Sequence, residues 1–310
     1  KRYMENAKIE ADILKNIHRA DPHGSFRCAI MYDTFMHSSR YFCLVFEPLG
    51  ESLFDFMKKN NYRGFWVQDI QSYARQCLKA LKFLHKTLRM THTDLKPENI
   101  LLQSTGDCRP SFFPREAAWQ ETHGSSKSRS GGSSQYLRPA TSQIKVIDFG
   151  NATYEGEHHS SVINTRQYRS PEVVLELGWN SRSLGCIFME LYSGELLFGT
   201  HENLEHLAMM ERVQGPLPEA MLAGASKSVQ EKYLSRSGRG GSCRLRWPEC
   251  ASSPSSQRHV ERQPPIRSRV EDHHRHLAHW IAEMLTHDPA RRPSASEASR
   301  HEFFDVFYDD

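Results

Sequence analysis

Between residues 67 and 88 the apolar side chains Ile70, Tyr73, Ala74, Cys77, Leu78, Leu81 and Leu84 return at every third or fourth position. A helix through this segment places all of them on one face. This is the strongest amphipathic pattern in the chain, and it predicts a core helix around which the remaining elements have to pack.

Shorter patterns flank it. Ile9, Ile13, Leu14 and Ile17 predict an opening helix, ended by Pro22 and Gly24. Two apolar runs, 28–35 and 41–47, are joined by the polar stretch HSSR and predict an antiparallel strand pair, with Pro48 and Gly50 marking its end. Beyond the core helix, the branched-apolar runs 100–102 and 144–147 bracket residues 104–143. That stretch is rich in Ser, Gly, Arg and Pro and reads as a mobile loop insertion. Helical patterns over 184–192, 202–213 and 277–285 make the second half mainly α, and residues 235–269, with SRSGRGGSCRLR and QPPIR, read as poorly ordered. No repeat of ~20–50 residues is visible, so a solenoid or propeller is not supported.

Composition narrows the function classes. With 38% hydrophobic and 25% charged residues the chain has the balance of a globular protein, and a net charge of +3 is too small to imply nucleic-acid or membrane binding by bulk electrostatics. Seven scattered cysteines without a Cys-x-x-Cys pair favour reduced thiols in a cytosolic or nuclear setting. The charged start KRYMENAKIEADIL lacks the apolar run of a signal peptide, and no stretch approaches a membrane span, so neither secretion nor insertion is expected.

The chemistry concentrates in His92-Thr93-Asp94-Leu95-Lys96-Pro97-Glu98-Asn99, on a loop between the core helix and a buried apolar run. A carboxylate, an ammonium and an amide this close together suit phosphoryl transfer. The carboxylate orients and deprotonates an attacking hydroxyl, the lysine neutralises the transferred group, and the amide oxygen holds Mg²⁺. Asp148-Phe149-Gly150 follows the next strand-like run and supplies a second hard oxygen ligand. Ser170-Pro171-Glu172 comes later in the chain.

In this order the three motifs resemble those of the eukaryotic protein kinases: H-R-D-x-K-x-x-N, then D-F-G, then A-P-E. HTDLKPEN and the helix Glu205 to Arg212, EHLAMMER, are similar to the LAMMER (Cdc2-like) dual-specificity branch, as is the activation segment ATYEGEHHSSVINTRQYRSPE. The resemblance implies an α+β, protein-kinase-like fold. Residues 1–50 would be an incomplete β-rich N-lobe, with one helix, two strands and a hinge, and 51–310 a mainly α-helical C-lobe with insertions at 104–143 and 235–269. It implies Asp94 as catalytic base, Lys96 at the γ-phosphate, Asn99 and Asp148 as metal ligands, and Thr165 steadying Asp94 and Lys96. Glu47 and Leu49 would bind the adenine edge behind the gatekeeper Phe46. Glu10 would be the helix-C glutamate, and Glu172 and Arg292 a structural ion pair.

ATP and Mg²⁺ are the cofactors implied, Ser/Arg-rich splicing factors the protein substrates, and the nucleus the location, with no direct nucleic-acid partner and no membrane. Thr93 stands where many kinases have the arginine that grips an activation-loop phosphate. Activity without phosphorylation of Ser160, Ser161 or Thr165 is therefore expected.

Two family features are not matched within the 310 residues: the Gly-rich loop with its strand lysine, and the Asp-x-Trp-Ser-x-Gly element expected after Trp179-Asn180. The chain thus resembles an N-terminally truncated member with an internal deletion. Losing that Asp is expected to leave polar groups of the catalytic loop unsatisfied. Two further readings stay open: a catalytically inactive homologue that acts as a binding module, and a fragment of an active kinase. His273, His274, His276 and His279 read as a solvated helix start rather than a metal site, and the Ser/Arg-rich stretches as loops rather than RNA-binding segments. With an incomplete N-lobe, the apolar run 41–46 is expected to be partly uncovered.

Overall fold

The opening helix α1 runs from Arg2 to Ala20, longer than its apolar stripe. Ala11, Ile13, Leu14 and Ile17 are buried, while Ile9 is 57% exposed because it sits at the margin of the arc that the others centre. The computed structural model describes residues 2–38, 40–104, 106, 108–127, 135–157, 164–177, 184–236 and 241–309, with the side chains of residues 2 and 122–127 excepted. These fall into two compact units, one of residues 1–156, 190–195 and 304–310, the other of 157–189 and 196–303. The lobe boundary expected at residue 50 lies inside the first unit.

In the first unit, β1 (Met31–His37) and β2 (Tyr41–Phe46) pair antiparallel, with His37 opposite Tyr41. Tyr41, Val45 and Phe46 are exposed, as are Phe35 and Met36, so this hairpin keeps much of its apolar surface in solvent. Helix α2 (Leu53–Lys59) starts at Ser52, whose side chain accepts the Asp55 N–H. The core helix α3 spans Val67–Lys86, and every residue of its predicted stripe is buried. Asp69 in its first turn and His85 and Lys86 in its last complement the helix dipole. Each large apolar side chain on that face contributes about 1.5–3 kcal/mol by burial.

After α3 the chain enters β3 (Met90–Thr91), crosses the HTDLKPEN loop and forms β4 (Ile100–Leu102). β4 pairs antiparallel with β7 (Ile144–Val146), and β3 with β8 (Thr153–Tyr154). Gln76 of α3 locks β7 in place: its amide nitrogen donates to Ser142 O at 2.7 Å, and its oxygen accepts Ile144 N–H at 3.0 Å.

The stretch 104–143, expected to be a mobile loop, is built. β5 (Cys108–Ser111) pairs with β6 (Tyr136–Pro139), and α4 (Glu116–Lys127) lies between them in sequence; residues 128–134 lie outside the described ones. Phe113 and Tyr136 form an apolar cluster with Trp66, and Trp119 packs against it. Arg138 grips Asp69 with two bonds of 2.7 and 3.0 Å while its guanidinium lies 4.1 Å from the Trp66 ring centre. Asn60 holds β6 by its side-chain amide, donating to Leu137 O at 2.7 Å and accepting Leu137 N–H at 2.8 Å.

The second unit is mainly helical. It contains α5 (Pro171–Val174), the first part of α6 (Gly185–Ser193), α7 (Asn203–Gln214), α8 (Glu219–Gly224) and α9 (Lys227–Tyr233). β9 (Leu234–Arg236) pairs with β10 (Cys243–Leu245), and α10 (Pro254–Glu261), α11 (Arg275–Met284) and α12 (Ala295–Ala298) follow. Residues 235–269 are therefore structured where they are described, contrary to the reading from composition. Leu245, Val260 and Ile266 are buried, and Ser253 caps α10 by accepting Ser256 N–H. The apolar residues of the stretch are too few and too unevenly spaced to show a period, yet these three reach the core. Trp280 of α11 centres the packing: its ring lies 5.2 Å from Phe188 and 5.4 Å from Phe303, and its N–H donates to Ala298 O at 3.2 Å.

The EHLAMMER segment is part of α7. Its Leu207, Ala208, Met209 and Met210 are buried, and Glu205 ties the helix outward by accepting from Thr200 Oγ1 at 2.5 Å and from the Ser256 hydroxyl. The motif packs a core and carries no chemistry of its own. Among the described residues no helix is long and apolar enough to cross a membrane.

Candidate active site

The β4–β7 pairing assembles the site. Ile100 faces Val146, so the residue before β4 and the residues after β7 are neighbours; Ile147 N–H donates to Asn99 O at 3.0 Å. Side chains follow the backbone. Asn99 Nδ2 donates to the Asp94 carbonyl at 2.8 Å and to Asp148 Oδ2 at 3.3 Å. The amide nitrogen is thus spent within the loop, and among the described residues its oxygen takes no hydrogen bond, which presents it as a donor for a cation.

Asp94 and Lys96 form an ion pair at 2.8 Å, with side chains 17% and 22% exposed. Burial works against the Lys96 charge, but the Asp94 hydrogen bond and the charges of Asp94, Glu98 and Asp148 outweigh it and hold the ammonium above its ordinary value. The lysine therefore stays cationic across the physiological range.

His92 is the buried post of the loop. Its Nε2 lies 2.8 Å from Ile147 O, and its Nδ1 accepts the Asp94 N–H at 3.3 Å, so the proton sits on Nε2. Burial lowers its pKa despite the Ile147 bond, which keeps the ring neutral and this tautomer fixed. Thr93 Oγ1 donates to Asn151 O at 2.7 Å. Thr93 and Asp148 both adopt left-handed backbone, at φ of 67° and 63°. Such strain costs of order 1 kcal/mol or more per residue and persists where surrounding bonds over-determine it. The side chains of His92, Thr93 and Asn99 find partners inside the loop and just after β7, at Ile147, Asp148 and Asn151, whereas Glu98 Oε2 is buried without one among the described residues. Residues 178–183, where the family's Asp-x-Trp-Ser-x-Gly element fails to match, lie outside the described residues.

Glu10 reaches the same place from α1. A Cβ on Gly150 would lie 3.4 Å from Glu10 Oε2 and 3.5 Å from Asp148 Oδ1, ordinary contact distances, so both carboxylates border this glycine. Burial, and then the Asp148 charge, raise the Glu10 pKa. Among the described residues Glu10 has no ion-pair partner.

At the hinge, Glu47 N–H donates to Ile30 O at 3.0 Å and the Glu47 side chain accepts the Ile30 N–H at 2.9 Å. The Glu47 carbonyl and the Leu49 N–H make no hydrogen bond among the described residues. Phe46, expected as gatekeeper, is 39% exposed.

Thr165 belongs to the second unit, where its carbonyl accepts Tyr168 N–H at 3.0 Å. Glu172 and Arg292 also belong there and form the expected pair: two parallel bonds of 2.8 Å between side chains only 3% and 2% exposed. Ser160 and Ser161 lie outside the described residues.

The histidine stretch departs from its expected solvated character, since His274 is fully buried. His279 Nδ1 lies 2.7 Å from His301 Nε2. His301 Nδ1 accepts Phe303 N–H at 2.9 Å, so its Nε2 carries the proton and the pair is a hydrogen bond rather than a pair of metal ligands. The residue that sequence reasoning missed is Lys145, a charged side chain in the apolar run IKVI; that anomaly was its only signal.

The protein kinase domain family matches residues 3–304. The serine/threonine-protein kinase AFC3 of Arabidopsis thaliana is 42% identical over 98% of this chain and 73% of its own length. The dual specificity protein kinase CLK1 of Homo sapiens is 39% identical over 98% of this chain and 58% of its own. The chain belongs to the protein kinases, in their LAMMER branch. A crystal structure of a kinase domain superposes on this kinase with a TM-score of 0.84 at 40% identity, covering 98% of this chain and 84% of that one. The sequence expectation of a protein-kinase fold thus holds.

The donor set also suits the ion such kinases use. Asp148 and Asn99 offer a carboxylate and an amide oxygen, the hard oxygen donors that Mg²⁺ takes. When bound, Mg²⁺ offsets charge on the nucleotide phosphates.

Proposed function

We propose that the kinase transfers the γ-phosphoryl group of Mg·ATP to Ser, Thr and Tyr hydroxyls of Ser/Arg-rich proteins, splicing factors among them, in the nucleus. The observation that carries this reading is the shared hydrogen-bond network of Asp94, Lys96, Asn99 and Asp148. Asp94 takes the proton of the attacking hydroxyl, and its carboxylate is held in place by Lys96. Lys96, kept cationic by three carboxylates, offsets charge on the group in transfer. Asn99 fixes the Asp94 backbone through its nitrogen and leaves its oxygen, together with Asp148, for the metal. Thr93, bonded to Asn151 O without any phosphate, supports activity that needs no activation-loop phosphorylation.

Glu10 favours a second reading, in which the chain binds nucleotide or protein without transferring phosphate. Its carboxylate, raised in pKa by burial and then by Asp148, has among the described residues no cation to hold toward the phosphates.

One assay separates the two: transfer of ³³P from γ-labelled Mg·ATP to an Arg-Ser repeat peptide, with Asp94→Asn as control. Transfer that vanishes in the control establishes the kinase. Incorporation no higher than in the control, with ADP binding retained, establishes the second reading.

A further inference from the structure

Lys145 lies in the middle of β7 with a side chain only 4% exposed. The ammonium is ion-paired with Glu47 Oε1 at 3.0 Å and donates to Cys28 O at 3.3 Å and Gly24 O at 3.4 Å. Gly24 adopts φ 61°, and a Cβ there would stand 2.9 Å from the ammonium, so the chain is shaped to admit it.

Packing alone does not call for this charge. A methionine fills a similar volume, and replacing a buried ion pair by apolar side chains is often neutral for stability. What the pair does is geometric. Glu47 is the residue whose backbone carbonyl is read as facing the adenine edge. Its side chain is drawn inward by Lys145 and by Ile30 N–H, while its own N–H donates back to Ile30 O. The segment holding the lysine is itself stitched to β7: Ala29 N–H donates to Val146 O at 2.9 Å, and Val146 N–H to Arg27 O at 2.7 Å. Three residues after Lys145, the same strand delivers Asp148. One buried ammonium therefore links the peptide that reads the base to the strand that delivers the metal-binding carboxylate.

We infer that Lys145 is a positioning residue for the nucleotide base: it sets the orientation of the hinge peptide at Glu47, and so the preference for adenine nucleotides, without touching the nucleotide. This rests on the reading of Glu47 and Leu49 as the adenine hinge.

The test compares Mg·ADP with Mg·tripolyphosphate, which lacks the base, by calorimetry on the full chain, with thermal midpoints recorded alongside. The wild type is expected to prefer ADP. Lys145→Met is expected to weaken ADP about tenfold while leaving tripolyphosphate unchanged. Glu47→Gln keeps the acceptor for Ile30 N–H and removes the charge; it is expected to lose preference in the same direction, and it stands in should Lys145→Met fail to fold. A variant that weakens both ligands equally, or keeps the full ADP preference, overturns the role of Lys145. A wild type that binds both ligands equally overturns the hinge reading beneath it.

Discussion

Two ion pairs of identical length do opposite work in this molecule. Asp94–Lys96 and Glu172–Arg292 both close at 2.8 Å, but the first leaves about a fifth of each side chain in solvent and the second almost none. The Glu172–Arg292 pair is bidentate, and Arg292 also donates to Thr286 O and His287 O, so every nitrogen of the guanidinium is bound within the fold. The Asp94–Lys96 pair keeps part of each side chain in solvent. A charge that must meet a substrate has to be held without being sealed, whereas a charge that only holds a fold together is best sealed completely.

The sharpest way to break this contrast is Asp94→Asn. It is expected to lower the transfer rate by about 10²–10⁴-fold while changing the unfolding free energy by less than ~0.5 kcal/mol. Steady-state kinetics and urea unfolding on one preparation check both halves, and a large loss of stability would show that the open pair is structural after all. Arg292→Met is expected to behave in reverse, costing about 3–5 kcal/mol because Glu172 is left charged and dry. The double variant Glu172→Leu/Arg292→Met should recover most of that loss; a single variant within ~1 kcal/mol of wild type would remove the distinction.

His206 sharpens the contrast as a sealed group packed on the Phe198 ring. It is fully buried, and neither ring nitrogen has a hydrogen bond among the described residues. Burial, followed by the Arg166 and Arg169 charges, pushes its pKa down to about 3. The unfolded chain binds a proton near pH 6.5, so the stability that neutral His206 permits is complete above that pH and is lost as the pH falls toward 3. At pH 5 the loss is about 2 kcal/mol. Unfolding midpoints measured from pH 7.5 to 4.5 should show this slope in the wild type and a flatter one in His206→Leu. The smallest effect concerns the cap beside Arg292. Ser294 and Glu297 form a reciprocal capping box, and Ser294→Ala is expected to cost about 1 kcal/mol in the same assay without altering transfer.

The parts of the fold that the sequence shows are those whose signal is local. Ile70 to Leu84 repeat with the period of the helix they form, and HTDLKPEN and DFG place the site because each is contiguous. The hairpin of residues 108–139 was hidden because its stabilising contacts are distant. Phe113 and Tyr136 stand apart in a polar stretch, and what orders them is Trp66 and Asp69, at the start of another helix. Lys145 was hidden for a related reason: a lone lysine in a strand shows nothing of the Glu47 carboxylate that receives it.

The grip of Asn60 on Leu137 reaches beyond the hairpin it fixes. A two-stranded ribbon has a free margin on each side, and an unpaired margin is where a second chain adds itself and starts a fibre. On one margin of this ribbon the exposed peptide of Leu137 is met by a side-chain amide that imitates the next strand, donor to acceptor and acceptor to donor. One asparagine thus acts as a stopper: it ends the sheet at two strands and denies that edge to self-association.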